Sequence, residues 1–194
     1  IIKAMKETGI VPDFITVDGA EGGTGAAPLE FIDYMGMALS DALIFVSKTL
    51  QQFELRDEIK IMASGKIITG FDIAKAISLG ADACYSARGM MFALGCIQAL
   101  QCDSGKCPVG IATQDKALYK GLDITEKSVR VAHFHNNTLK AFAEFIGACG
   151  FDSPKAITPD VFYRRIDHKT NESFTSLFFN DFKNKTKTEK INLN

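Results

Sequence analysis

Residues 59–86 read IKIMASGKIITGFDIAKAISLGADACYS, and this stretch predicts a strand, a helix and a second strand in immediate succession. The apolar run 59–63 ends at Ser64-Gly65 and reads as a buried strand. Thr69 and Asp72 have the spacing of a capping box, and Gly80 follows the predicted helix as its C-terminal stop. Residues 83–86 then form a further short strand. The stretch therefore predicts one complete βαβ unit.

The same alternation extends in both directions along the chain. Upstream, residues 14–17 form a β-branched run that ends at Asp18-Gly19, and Ser40-Asp41 can cap a following helix. Downstream, another helix begins near Met90. Strands and helices that alternate over short connections indicate a parallel α/β fold, either a doubly wound sheet or an eight-stranded barrel. A barrel normally needs about 250 residues, so this chain would supply fewer than half of its strands.

The chain ends suggest one domain followed by a tail. Ile1, Ile2 and Met5 already form a helical pattern that stops at Gly9, and we therefore expect sequence upstream of Ile1. A long helix is predicted from about residue 125 to 149, with Asp123 and Glu126 spaced as a capping box. Residues 1–166 are predicted to form the domain. Residues 167–194 are polar, and we expect this tail to be disordered.

Composition argues against several classes of partner. The 194 residues are 46% hydrophobic, and 22 Lys+Arg against 23 Asp+Glu leave a formal net charge of −1. No global field therefore draws the protein to nucleic acid or to a membrane surface. The sequence contains neither an apolar run of about 20 residues nor the apolar core of a secretory signal. We expect a cytoplasmic protein without nucleic-acid or membrane partners.

A glycine-rich loop directly follows the first predicted strand. Residues 18–28 read DGAEGGTGAAP, with four glycines within seven positions, which permits close backbone approach to a ligand. The pattern fits neither the dinucleotide fingerprint nor the Walker loop. Asp18 and Glu21 lie where active sites form in such folds, at the carboxyl end of a strand. The alternative is a loop that is merely flexible.

Two further strand ends carry a cation before a helix, in Ser64-Gly65-Lys66 and in Ser86-Ala87-Arg88-Gly89. Backbone N–H groups at helix starts bind phosphate, and the loops after the last two strands of a barrel are its usual phosphate site. Taken singly, each could be an ordinary turn with a solvated cation. Two in succession favour a phosphate site.

Five cysteines are too few for a disulfide scaffold, and their count is odd. Cys96, Cys102 and Cys107 cluster, with Pro108 after the last, which is typical of iron–sulfur ligand runs. Zinc would require a fourth ligand, for which His133 and His135 are poorly placed on a helix. The alternative is three free buried thiols. The remaining two, Cys84 and Cys149, have apolar neighbours and are interpreted as core residues.

Three separate blocks, in order, resemble the FMN-binding synthase domain of the glutamate synthase family. They are residues 13–25 (DFITVDGAEGGTG), 63–70 (ASGKIITG) and 95–114, which contain the three clustered cysteines. The resemblance covers nearly everything from Ile1 to about Ile166. It implies an aldolase-type TIM barrel, of which this chain holds about strands six to eight with a C-terminal helical extension.

The resemblance also implies cofactor sites. FMN would place its phosphate on the loops Ser64-Gly65-Lys66 and Ala87-Arg88. The glycine loop would approach flavin and substrate through Asp18 and Glu21 and through Gly22, Gly23, Thr24 and Gly25. By position, Cys96, Cys102 and Cys107 match the cysteines that hold the family's [3Fe-4S] cluster.

The function implied is FMN- and iron–sulfur-dependent reductive amination of 2-oxoglutarate to glutamate, by an oxidoreductase acting on CH–NH2 donors. Glutaminase and electron-donor subunits or domains are possible partners. Larger family members have His before the acidic residue of the glycine loop, whereas this chain has Ala20, as in the shorter stand-alone branch. No catalytic residue is identified.

Two other interpretations remain open from the sequence. Another flavin oxidoreductase of the same family, acting on an N-substituted glutamate, would keep the phosphate loops and the cysteines. A non-catalytic binding or assembly fragment would leave strand edges exposed. Because the chain would lack most of the barrel wall, we expect it to be inactive alone.

Overall fold

The computed structural model describes residues 1–22, 27, 31 and 34–185. In chain order the elements are α1 (Ile2–Thr8), β1 (Phe14–Asp18), α2 (Leu39–Gln52), β2 (Lys60–Ser64), α3 (Gly70–Ser78), β3 (Ala83–Tyr85), α4 (Arg88–Leu94), α5 (Lys116–Tyr119), α6 (Ile124–Ala148), β4 (Tyr163–Arg165), β5 (Asn171–Ser173) and α7 (Phe174–Lys185), with short 3₁₀ turns at Ala20–Gly22, Pro154–Ala156 and Pro159–Val161. Within the described part, no helix has the length and hydropathy of a membrane span.

The first three strands form a parallel sheet in the order β1-β2-β3, with α2 and α3 as the crossover connections. The predicted parallel α/β class is confirmed. Three successive parallel βα units are the arrangement found in a segment of an eight-stranded barrel. The hydrophobic core lies between this sheet and the helices, where Leu43, Leu50 and Ile61 are completely buried.

Local side-chain caps mark the starts of α3 and α6. The capping box of Thr69 and Asp72 is present at α3, because the Thr69 hydroxyl accepts from the Asp72 N–H and the Asp72 carboxylate accepts from the Thr69 N–H. Asp123 caps α6 by accepting from the Glu126 N–H at 3.0 Å. Both predicted helix starts are confirmed.

The start of α2 differs from the sequence expectation. The helix begins at Leu39, and neither Ser40 nor Asp41 provides its cap. Instead, the Glu21 carboxylate accepts a hydrogen bond from the Leu39 N–H, at 2.9 Å to one oxygen and 3.0 Å to the other. A residue 18 positions upstream therefore satisfies the first helical N–H.

The expected tail also differs from the structure as far as Lys185. After Asp167 the chain forms the β4–β5 hairpin and then α7. Phe174, at the start of α7, is buried, and its ring stacks on Phe162 at 5.6 Å. Phe162 in turn contacts Phe71 of α3 and Phe145 of α6. Burial of these aromatic rings offsets the conformational entropy that the segment loses when it becomes ordered. A purely polar tail would have no such compensation. Residues 186–194 lie outside the described residues.

Candidate functional site

A pocket lies at the carboxyl ends of the three parallel strands. The sheet register pairs Asp18 with Ser64 and Ser64 with Tyr85, and all three line this pocket. Side chains that end neighbouring parallel strands meet at one edge of the sheet, which is where parallel α/β proteins bind ligands. We call this space the strand-end pocket.

Both predicted phosphate loops face the strand-end pocket. The pocket is lined by Ser64, Gly65 and Lys66 of the first loop and by Ala87 and Arg88 of the second. Gly65 has φ 147° and Lys66 has φ 47°, so the first loop passes through two positive-φ positions directly after β2. A bulkier residue at position 65 would be strained, whereas glycine adopts this backbone readily.

The amino end of α3 contributes less to an anion site than the sequence suggests. The Asp72 carboxylate already accepts from the N–H groups of Ile68 and Thr69, and the Asp72 N–H is bonded to the Thr69 hydroxyl. The capping box thus occupies these donors. A phosphate at this end would meet the loop 64–66 rather than the first turn of the helix.

The three clustered cysteines line the same pocket. Cys107 is buried, with 7% of its surface exposed. Backbone N–H groups of Ala112, Val109, Ile111 and Gly110 donate towards its sulfur and lower the pKa of the Cys107 thiol, against a smaller opposing effect of burial. The Cys96 sulfur accepts from the Gln98 N–H at 3.4 Å. Backbone N–H groups therefore lie near two of the three sulfurs.

The thiols share the pocket without forming a closed metal site. Among the residues that the structure describes, no three His, Cys, Asp or Glu side chains are arranged to hold a metal ion. All five cysteines are free. The structure brings the predicted ligands to one pocket and does not bring their sulfurs to a common point.

The segment between the first two cysteines forms a strained and apolar wall of the pocket. Of the four described non-glycine residues with positive φ, three line this pocket: Lys66, Gln98 and Leu100. Such backbone costs on the order of 1–3 kcal/mol per residue and clusters at ligand sites. Ile97 and Leu100 are also 64% and 49% exposed. Exposed apolar side chains beside two cations are typical of a surface that a ligand covers.

The structure describes only part of the glycine loop. Asp18 lines the strand-end pocket, whereas Glu21 lines a neighbouring pocket together with Gly65, Lys66, Asp72 and Lys75. Gly22 ends the 3₁₀ turn Ala20–Gly22. Gly23, Thr24 and Gly25 lie outside the described residues. The two acidic residues of the loop therefore face different spaces.

Sequence reasoning missed several pocket residues. Tyr85 and Met91 line the pocket, as does the segment 97–101. Tyr85 was detectable in principle, because it lies near the carboxyl end of the strand predicted over 83–86 and a barrel places such residues at its mouth. The left-handed backbone at Gln98 and Leu100 has no sequence signal, since neither residue favours positive φ.

The two remaining cysteines lie apart from this pocket. Cys84 packs against the hydrophobic core from β3, and burial raises the pKa of its thiol to about 11. Cys149 caps the carboxyl end of α6 with its backbone. A thiol held protonated by burial is a poor metal ligand, because the thiolate is the form that binds metal.

Known proteins include relatives of this chain. A family model described as "Conserved region in glutamate synthase" matches residues 2–152. The glutamate synthase large subunit-like protein YerD of Bacillus subtilis is 44% identical over 164 residues, which are 84% of this chain and 31% of that protein. The archaeal glutamate synthase [NADPH] of Methanocaldococcus jannaschii is 41% identical over 145 residues, covering 75% of this chain and 28% of that protein.

This chain thus spans less than a third of the length of these two relatives. Among solved structures, a flavocytochrome b2 double mutant with pyruvate bound aligns with TM-score 0.49 and 18% identity, covering 82% of this chain and 31% of that one. A likeness at that level supports no conclusion. The family match covers well over half of the chain, and the chain therefore belongs to the glutamate synthase family.

Proposed function

We propose that this chain is the C-terminal part of an FMN-binding TIM barrel that catalyses reductive amination of 2-oxoglutarate to glutamate. The observation that carries the proposal is the strand-end pocket, which gathers both cationic loops and all three clustered cysteines at one edge of a parallel sheet. Glutamate synthase relatives at 44% and 41% identity support the reaction class.

The residues present fit a flavin with a single phosphate. Lys66 and Arg88 both line the pocket and supply positive charge there, and Gly65 allows the backbone close to a ligand. An apolar surface on which a ring system can pack is supplied by Tyr85, Met91, Ile97 and Leu100. One pocket that combines an apolar wall with two cations suits FMN better than a free anion.

The cysteines fit an iron–sulfur cluster by their chemistry. Cys107 has its pKa lowered by backbone N–H groups, and Cys96 also accepts a backbone N–H, as expected around cluster sulfurs. Three thiol ligands suit a [3Fe-4S] cluster, and we propose Cys96, Cys102 and Cys107 as its ligands, whose sulfurs would converge on the cluster from the separate positions described above. When bound, the flavin supplies two-electron reduction of the substrate, and the cluster supplies single-electron transfer to the flavin.

The protein's own residues would orient the substrate and exclude water beside the flavin. Asp18 is the described carboxylate of the glycine loop that faces the pocket, and we propose that it and the residues Gly22, Gly23, Thr24 and Gly25 contact the substrate side.

The names of two relatives include NADPH and ferredoxin. We propose an electron-donor subunit or domain and a nitrogen source such as a glutaminase. The five free cysteines favour a cytoplasmic setting.

The test uses the native full-length protein with a reductant, 2-oxoglutarate and ¹⁵N-ammonia. We expect ¹⁵N-glutamate, measured by mass spectrometry, and a large loss of its formation in Arg88→Ala. Consumption of an N-substituted glutamate without glutamate synthesis would instead indicate a different oxidoreductase of the family. No turnover of either substrate by a flavin-loaded protein would contradict the proposal.

A further inference from the structure

Glu21 occupies a junction between three elements of the fold. Its two carboxylate oxygens accept from the Leu39 N–H at 2.9 and 3.0 Å. The residue before Leu39 is Ala38, which has no side-chain group to cap α2. A carboxylate at the amino end of a helix is favoured both by this hydrogen bond and by the helix dipole. Glu21 is therefore the cap of α2.

The same carboxylate touches the ends of β1 and β2. A Cβ atom at Gly19 would lie 2.3 Å from the Glu21 Oε2, and one at Gly65 would lie 3.4 Å from it. The Gly19 N–H donates to the Ser64 carbonyl at 2.7 Å, which joins the two strand ends directly above the sheet. A Cβ atom at Gly19 would also lie 2.8 Å from the Leu39 Cα, which is backbone and cannot move aside, so position 19 requires glycine. The strand ends and the start of α2 are thus packed around one side chain.

Gly65 and Lys66 form a shared wall between two pockets. Both residues line the strand-end pocket, and both also line the neighbouring pocket that contains Glu21. Glu21 itself does not line the strand-end pocket. Gly65 and Lys66 therefore border both the pocket of the proposed ligand and the pocket that contains Glu21.

We infer that Glu21 is a positioning residue, whose carboxylate holds the loop 64–66 against β1 and α2 and thereby sets the affinity for the ligand's phosphate. The affinity part rests on the proposed function, while the control of loop geometry does not. The role differs from the substrate contact that the sequence suggested for Glu21. The Glu21 carboxylate does not contact the substrate in this role, but influences phosphate binding through Gly65 and Lys66.

The test compares Glu21→Ala, Glu21→Gln and Asp123→Ala in the native full-length protein. Asp123→Ala is the matched control, because it removes a carboxylate cap from α6 and Asp123 lines neither pocket. Hydrogen exchange at residues 39 and 65–66 reports loop geometry, and FMN titration reports affinity. We expect Glu21→Ala to accelerate that exchange and to weaken FMN binding about tenfold.

Glu21→Gln keeps one acceptor oxygen, and we expect it to restore most of both properties. Asp123→Ala should lower the unfolding midpoint while leaving the exchange and the FMN affinity unchanged. Wild-type exchange in Glu21→Ala, or an equal change in Asp123→Ala, would overturn the inference. If the wild-type protein binds no FMN, the proposed function fails, and the exchange measurement still decides the role of Glu21.

Discussion

At the scale of single residues, Cys107 and Cys84 lie in opposite chemical environments. Backbone N–H groups lower the pKa of Cys107, whereas burial raises that of Cys84 to about 11. The clustered thiols line the strand-end pocket, and Cys84 packs against the core instead. The sequence already suggested this difference, because Cys84 lies within a predicted strand, whereas Cys107 follows a loop that contains Gly105.

Single substitution of Cys96, Cys102 or Cys107 by Ser should remove most of the iron and acid-labile sulfide from the native holoenzyme, because a [3Fe-4S] cluster has no spare thiolate ligand. Iron analysis and electron paramagnetic resonance measure the loss. Cys84→Ala and Cys149→Ser are the controls and should retain the cluster. Loss in the Cys84 variant together with retention in the Cys102 variant would refute the ligand assignment.

At the scale of elements, α3 and α6 approach so closely at Gly70 that no side chain fits there. A Cβ atom at Gly70 would lie 2.5 Å from the Phe142 backbone nitrogen. Gly147, near the end of α6, has no atom within 4 Å of the corresponding position. One glycine is thus required by packing, and the other is not.

Gly70→Ala should destabilise the protein by about 1–3 kcal/mol, because backbone cannot yield as a flexible side chain does. Gly147→Ala should stabilise it by about 0.5–1 kcal/mol through reduced backbone entropy of the unfolded chain. Urea unfolding of the native protein checks both changes. A similar shift of the midpoint in the two variants would contradict the packing described.

Local features of the elements were predictable from the sequence, whereas features that depend on tertiary contacts were not. The Thr69 and Asp123 caps were predictable, because both partners lie within four residues. The cap of α2 was not, since Glu21 and Leu39 meet only once the strand ends are packed. The three pocket-lining loops were predictable from strand ends, whereas the left-handed backbone at Gln98 depends on tertiary contacts. The hairpin and helix after Asp167 were not expected for a similar reason, because Phe174 meets Phe162 only once the chain is folded.

At the scale of the whole molecule, the C-terminal segment is fastened to the outer helices. Phe162 is 2% exposed and contacts the rings of Phe71, Phe145 and Phe174. Lys48 of α2 donates to the Phe178 carbonyl and lies 4.8 Å from the Phe179 ring. Helices α2, α3 and α6 are therefore all connected to this segment.

Phe162→Ala should cost about 3–5 kcal/mol of stability, because it removes the centre of that aromatic cluster. Tyr163→Ala is the matched control, since Tyr163 is 67% exposed, and we expect a change within about 0.5 kcal/mol. Thermal unfolding monitored by circular dichroism distinguishes the two. Equal midpoints would mean that the segment does not stabilise the domain.

The sheet leaves two outer strands within the described residues, β1 and β3. Unpaired strand edges promote association between chains, and a barrel closes only when its remaining strands are present. We expect the 194-residue chain expressed alone to aggregate or to bind flavin poorly, as measured by size-exclusion chromatography with absorbance detection. A monodisperse, flavin-loaded and active chain would be the contrary result.

Identification of the chromophore released from the native full-length protein tests directly whether the strand-end pocket binds FMN. The protein is denatured by heat, and the supernatant is separated by chromatography against FMN and FAD standards. Because the strand-end pocket offers two cationic loops suited to one phosphate, we predict FMN at close to one equivalent per chain. Release of FAD, or of no flavin after reconstitution with FMN, would contradict the assignment of this pocket.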